Sequence, residues 1–264
     1  MAAVLSLRER LAEGMTLYGT WVNSDAPEIA ETLGLVGFDC VVLDMEHGEF
    51  GTEALPDLLR ATRAGGCHGL VRTTAVDPPQ IMRALDAGAE GVIVPNVADP
   101  AEARQIAAAA HYPPAGNRGA APNGRASGYG VTPFATYRER IERDVVVVAQ
   151  IEGPGGMANL PAILDVEGID LVFVGPFDLS QHLGVPGEVH DPAVISALEG
   201  IVGTAARLGI ATGTWAPTPD LAAVWARAGV RLVTVSSATA MFTEAAGRVL
   251  RELRSAAAAT DGRG

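Results

Sequence analysis

Two carboxylates and an imidazole stand together in Asp44-Met45-Glu46-His47, directly after an apolar run at 40–43. Side chains of these types can move protons or hold a cation. Similar polar residues close other apolar runs: Arg72 inside Gly69-Leu-Val-Arg-Thr-Thr74, Gln150-Ile-Glu152, and Gly175-Pro176-Phe177-Asp178. Trp21 and Trp215 end two more. Glu152 and Asp178 are the candidate metal ligands, because oxygen donors suit Mg2+ or Mn2+, with water and substrate completing the shell. Asp178 alone could instead cap a following helix. Arg72 offers a guanidinium fork for a substrate carboxylate or a developing enolate oxygen, or for a structural ion pair with Asp44 or Glu46. His47, the one histidine at such a run end beside acidic residues, is the candidate general acid and base.

What is missing narrows the chemistry further. All 19 basic residues are arginine, and the chain has no lysine. Neither a Schiff-base aldolase nor a PLP enzyme can form its imine without a lysine amine, so any carbanion must be stabilised otherwise, a divalent metal being the obvious means. The formal net charge of −12 argues against nucleic acid as partner. No apolar stretch approaches the ~20 residues that span a bilayer, and the start carries charged Arg8, Glu9, Arg10 and Glu13 where a secretory signal would be apolar. The expectation is a cytoplasmic protein away from membranes, with Cys40 and Cys67 as buried, reduced thiols.

These residues need a scaffold that brings run ends together. A phrase recurs in which glycine precedes a short β-branched run: Gly37 to Leu43, Gly88 to Val94, Gly168 to Val174 and Gly229 to Val235. Each glycine follows a helical pattern, where a left-handed residue ends the helix, and each run lacks polar alternation, as in strands buried on both faces. Further strands fall near 16–22, 69–74, 145–152 and 211–216. Asp77-Pro78, Asp99-Pro100, Asp191-Pro192 and Thr218-Pro219 supply N-caps followed by a first-turn proline. Eight strands alternating with helices in about 220 residues predict a single-domain α/β fold, the (β/α)8 TIM barrel, whose site lies at the C-terminal ends of the strands. No G-x-G-x-x-G follows the first strand, which weakens a dinucleotide-binding sheet. The barrel with its C-terminal helix is expected over 1–254 and a flexible tail over 255–264. The segment 112–136, rich in Pro, Gly and Asn, reads as a long loop. Asp86 sits in the last turn before Gly88, where the helix dipole disfavours an anion, so it needs a partner.

The motifs resemble the HpcH/HpaI aldolase and citrate lyase family, and within it the class II pyruvate-dependent aldolases. The matching stretches are Asp44-Met-Glu-His47, Val71-Arg72, Leu85-Asp-Ala-Gly-Ala89, Val92-Ile-Val-Pro95 and Tyr112-Pro-Pro-Ala-Gly-Asn-Arg-Gly119. They continue with Gln150-Ile-Glu152, Val166-Glu-Gly-Ile-Asp170 and Gly175-Pro-Phe-Asp-Leu-Ser180. The resemblance implies cleavage or formation of 4-hydroxy-2-oxo acids from pyruvate, or a related 2-oxo acid, and an aldehyde. It implies Glu152 and Asp178 as ligands of Mg2+, Mn2+ or Co2+, Arg72 on the pyruvyl oxygen, and Gln150 as a partner of that site. It pairs His47 with Asp86 as an acid/base dyad and gives the pyruvate carboxylate to backbone N–H groups of 175–178. A homo-oligomer is also implied, a hexamer built as a trimer of dimers with exchanged C-terminal helices.

Two departures from the family pattern bear on the aldehyde rather than on the reaction. Phe177 stands where a small or polar residue is usual, and Gly119-Ala-Ala-Pro-Asn-Gly-Arg125 replaces a glycine- and serine-rich loop. The loops 48–52, 119–130 and 177–190 are expected to shape aldehyde choice. A citryl- or malyl-CoA lyase would want a basic surface for CoA phosphates, which this acidic chain lacks. A non-catalytic barrel that binds a metabolite would be expected to have lost His47 or a carboxylate, and it has not.

Overall fold

The computed structural model describes residues 5–261. Eight parallel strands close into a barrel in sequence order, each hydrogen-bonded to the next and the last to the first. They are β1 (Leu17–Val22), β2 (Cys40–Asp44), β3 (His68–Arg72), β4 (Gly91–Val94), β5 (Val146–Ile151), β6 (Leu171–Val174), β7 (Ala211–Ala216) and β8 (Leu232–Val235). All eight expected strands are present, so the fold is the (β/α)8 barrel. The helices are α1 (Leu7–Ala12), α2 (Pro27–Val36), α3 (Leu55–Gly65), α4 (Pro78–Asp86), α5 (Pro100–Ala110) and α6 (Phe134–Asp144). They continue with α7 (Pro154–Leu164), α8 (Pro176–His182), α9 (Pro192–Arg207), α10 (Pro219–Arg227) and α11 (Ala238–Asp261).

The punctuation read in the sequence does its work locally. Asp77, Asp99, Asp191 and Thr218 each accept a first-turn N–H at the starts of α4, α5, α9 and α10, with proline next in line. Gly37 ends α2 at φ 109°, a conformation that an L side chain resists. α11 runs without a break through Ser255 to Asp261, so the segment set apart as a tail continues the helix that far; 262–264 lie outside the described residues.

Two layers of apolar side chains hold the barrel. Inside it pack Leu17, Trp21, Cys40, Val42, Leu70, Ile93, Val146, Val148, Leu171, Phe173 and Leu232, closed at the foot by Leu7 and Leu11 of α1. A larger layer, including Val41, Leu43, Val71, Val92, Val147 and Val172, lies between the strands and the surrounding helices. The two layers take alternate residues of the same strands, as the period of two requires. Both faces are apolar, which is why no alternation is visible in the sequence. Cys40 and Cys67 are buried and unpaired. Among the described residues no helix is long and apolar enough to cross a membrane.

Candidate active site

The inward register that fills the barrel continues upward into the polar residues. Residues 40 and 42 are core, and Asp44 is next in step; 70 leads to Arg72, 146 and 148 lead to Gln150, and 173 leads to Gly175. On β1 and β7 the same inward step brings Trp21 and Trp215. The top of the barrel is thus one more layer of the core with chemistry in place of methyl groups. It opens into a cavity of about 520 Å3 lined by Trp21, Asn23, Asp44, His47, Arg72, Gln150, Phe173, Gly175, Pro176, Phe177, Asp178, Trp215, Ser236, Ser237 and Ala240.

Asp44 and Arg72 are cross-strand neighbours on β2 and β3, and their side chains meet twice. Arg72 Nε donates to Asp44 Oδ1 at 2.8 Å and Nη2 to Oδ2 at 2.7 Å. Nη1 lies 3.1 Å from Glu46 Oε2, and the guanidinium stacks 4.3 Å above the Trp21 ring. The structural ion pair is therefore formed, and it fixes a charged plane at the cavity wall. Asp44 is held from the other side by Asn23 Nδ2 at 2.7 Å and accepts the backbone N–H groups of Glu46 and His47. Burial raises the Glu46 carboxyl above its ordinary range, against the pull of Arg72.

Glu152 and Asp178 approach each other across Gly175. A methyl group built on Gly175 would sit 2.9 Å from Glu152 Oε2 and 3.6 Å from Asp178 Oδ2, so both oxygens crowd one small space. Burial, with the neighbouring Asp178 charge, raises the Glu152 carboxyl, while hydrogen bonds from Gln150 and the Asn96 backbone oppose the rise. Gln150 Nε2 donates to Glu152 Oε2 at 2.6 Å, and Asn96 N–H donates to Oε1 at 2.8 Å. Gln150 Oε1 is buried with no hydrogen-bond partner. Two like carboxylates crowding one small space, beside a glutamine whose buried carbonyl oxygen has no partner, form a donor set that fits a hard divalent cation. Among the described residues no group of three or more His, Cys, Asp or Glu could hold a metal ion.

The remaining predicted residues divide. Pro176, Phe177 and Asp178 form the first turn of α8 beside Gly175, with Phe177 51% exposed at the rim. Trp215 lines the same cavity, and its Nε1 donates to the Ser236 carbonyl at 3.0 Å. His47 lines the cavity too, but the chain does not bring Asp86 to it. α4 descends from the end of β3, so its last residue, Asp86, lies at the foot of the barrel, where Arg118 Nη2 donates to it at 2.6 Å. The partner demanded by its helix position is thus Arg118, and within one chain the dyad with His47 is not formed. The loop 119–130 lies at the same foot: Ala126 N–H donates to the Asp86 carbonyl and Arg125 to the Ala87 carbonyl. In its own chain it therefore does not border the cavity.

Sequence reasoning missed Asn23, Asn96, Phe173, Ser236 and Ser237. Parity would have found Phe173 and Ser236, which follow 171 and 234 in the inward register. Asn96 and Ser236 share a second mark, left-handed backbone at φ 55° and 54°, which asparagine tolerates and serine resists.

Residues 17–245 match the HpcH/HpaI aldolase/citrate lyase family model. The 2-dehydro-3,6-dideoxy-6-sulfogluconate aldolase of Pseudomonas putida is 35% identical over 236 residues, 89% of this chain and 92% of that one. The hydroxypyruvate/pyruvate aldolase of Sagittula stellata is 33% identical with the same coverage. A crystal structure of an HpcH/HpaI aldolase/citrate lyase family protein from Burkholderia cenocepacia superposes with a TM-score of 0.88 at 31% identity, covering 94% of this chain and 98% of the other. A match over nearly the whole barrel, with aldolases among the relatives, makes this protein a carbon–carbon lyase that belongs to the HpcH/HpaI aldolase/citrate lyase family.

Proposed function

We propose that the enzyme is a divalent-metal-dependent aldolase acting on 4-hydroxy-2-oxo acids, with pyruvate or a related 2-oxo acid and an aldehyde as the products of cleavage. The observation that carries this reading is the convergence of Glu152 Oε2 and Asp178 Oδ2 on Gly175, with Gln150 hydrogen-bonded to Glu152. Mg2+, Mn2+ or Co2+ held there would supply the positive charge that makes the 2-oxo acid's enolate accessible at neutral pH.

The chain's own residues do the rest. Arg72, held flat by Asp44 and Trp21, presents its edge to the 2-oxo oxygen as charge develops there. Backbone N–H groups of 175–178, at the start of α8, would take the substrate carboxylate. His47, which faces the cavity, takes the 4-hydroxyl proton as the C3–C4 bond breaks. The bond's electron pair passes to C3 as the enolate, the aldehyde leaves, and a proton returned to C3 completes pyruvate.

A homo-oligomer, a hexamer of three dimers, belongs to the same reading. It is supported by an apolar stripe on α11, where Phe242, Val249, Leu250 and Leu253 are exposed. Buried free thiols support a reducing, cytoplasmic setting.

Deuterium exchange into the pyruvate methyl group tests the reading without any guess about the aldehyde. Exchange is expected with Mn2+ or Mg2+ and should vanish with EDTA and in Glu152→Ala. Absence of exchange with every metal tried would remove pyruvate as the nucleophile.

A further inference from the structure

Asn23 follows β1 directly and lines the cavity with Arg72 and His47. Its amide Nδ2 donates to Asp44 Oδ2 at 2.7 Å. Asp44 is 1% exposed, so its carboxylate depends on donors that the chain supplies. The two carboxylate oxygens are anchored separately. Oδ1 accepts Arg72 Nε at 2.8 Å and the Glu46 N–H at 3.1 Å, with the His47 N–H at 3.4 Å. Oδ2 accepts Arg72 Nη2, and among the described residues Asn23 Nδ2 is its one other donor. With Oδ1 alone held, the carboxylate could swing about it and carry the guanidinium along. With both oxygens held its plane is fixed, and the paired fork of Arg72 takes that plane from it. The stack on Trp21 cannot do this by itself, because it leaves the guanidinium free to turn in its own plane. Asn23 starts from a fixed backbone, its carbonyl accepting the Glu49 N–H at 2.9 Å.

We propose that Asn23 is a positioning residue for the reaction: through Asp44 it aims the Arg72 fork at the oxygen on which enolate charge develops. A neutral amide suits the place. It reaches Oδ2 from β1, the strand paired with β2, and donates without setting a second negative charge beside Asp44. This inference rests on the aldolase reading above, in which Arg72 meets the 2-oxo oxygen, and adds a residue that the reading does not use.

Deuterium exchange into pyruvate with Mn2+ tests it. Asn23→Ala should slow exchange by about tenfold or more, the scale on which a residue that orients a site group matters. kcat and kcat/KM should fall together, because Arg72 acts on charge present only in the transition state. Asn23→Asp keeps the shape but replaces the donor with an acceptor, so it should lose at least as much, and it supplies the answer if the alanine variant folds poorly. Arg72→Lys keeps the charge but has no plane to be set, so adding Asn23→Ala to it should cost less than about twofold more. Mn2+ affinity, read by calorimetric titration, should match the wild type in Asn23→Ala. Wild-type exchange rates in the alanine or aspartate variant, a full additional loss on the Arg72→Lys background, or weakened Mn2+ binding would each overturn the assignment. A wild type that exchanges pyruvate deuterium while its variants fail these comparisons sinks this inference alone; one that does not exchange sinks the aldolase reading with it.

Discussion

Gly175→Ala is a sharp probe of the carboxylate cradle, because it alters neither carboxylate. Gly175 has φ −84° and ψ 94°, which alanine adopts without strain, so the backbone should accept the change. The new methyl carbon would lie 2.9 Å from Glu152 Oε2, inside van der Waals contact, and 3.6 Å from Asp178 Oδ2. Glu152 is tied at both oxygens, by Gln150 and by Asn96 N–H, so it cannot retreat freely. One ligand oxygen must then leave the place where a cation would want it. Disturbances of ligand orientation typically cost 10- to 100-fold in metal affinity. At a Mn2+ concentration of about 100 times the wild-type Kd, binding stabilises the fold by about 2.7 kcal/mol. A variant that binds about 30-fold more weakly keeps about 0.9 kcal/mol at the same concentration. At ~2 °C per kcal/mol, the metal-induced rise in Tm should drop from about 5 °C to about 2 °C. Thermal melts with and without Mn2+, paired with calorimetric titration, read both numbers. Equal metal affinity in variant and wild type would refute the cradle, whatever happened to activity.

Three further perturbations test other parts of the molecule. Asp86→Ala should destabilise the fold by about 3–5 kcal/mol in chemical denaturation, because it strands the fully buried Arg118 guanidinium, and adding Arg118→Met should recover most of that loss; a cost under about 1 kcal/mol would mean that water reaches Arg118. Gly37→Ala should cost about 1–2 kcal/mol, since an added Cβ meets nothing and only the φ of 109° objects; a neutral result would refute the left-handed helix end. Burial pushes the Cys67 thiol up to about 11 and Cys40 still higher, so below that pH the thiols stay protonated, with roughly one Cys67 in a thousand as thiolate at pH 8. An aromatic disulfide reagent should therefore find both thiols only after denaturation; rapid labelling of native protein would contradict their burial.

The strands were legible because parallel strands packed on both faces leave unbroken β-branched runs, and because Asp-Pro and Thr-Pro pairs mark helix starts with a cap that the backbone then uses. Asp44, Arg72, Gln150 and Asp178 were legible for a related reason: an ionisable or amide group that closes an apolar run has only the cavity to face. Asn96 and Ser236 were not, because their part is played by backbone geometry, an N–H aimed at Glu152 and a carbonyl aimed at Trp215, which side-chain type does not announce.

Asp86 shows where linear reading loses direction. In a barrel, a residue at the C-terminal end of a strand faces the site, whereas one at the C-terminal end of a helix has been carried back to the foot. Asp86 and His47 belong to neighbouring motifs, yet α4 separates them by the height of the barrel, and Asp86 meets Arg118 instead. The loop 119–130 follows α5 down in the same way and binds the end of α4. Chemistry assigned to these foot residues in a single chain would have to cross the packed interior, which Leu17, Leu70, Val146 and Leu171 fill. The residues that crown the strands are the ones that line the cavity, and among them Trp21, Phe173, Phe177 and Trp215 are the large apolar side chains.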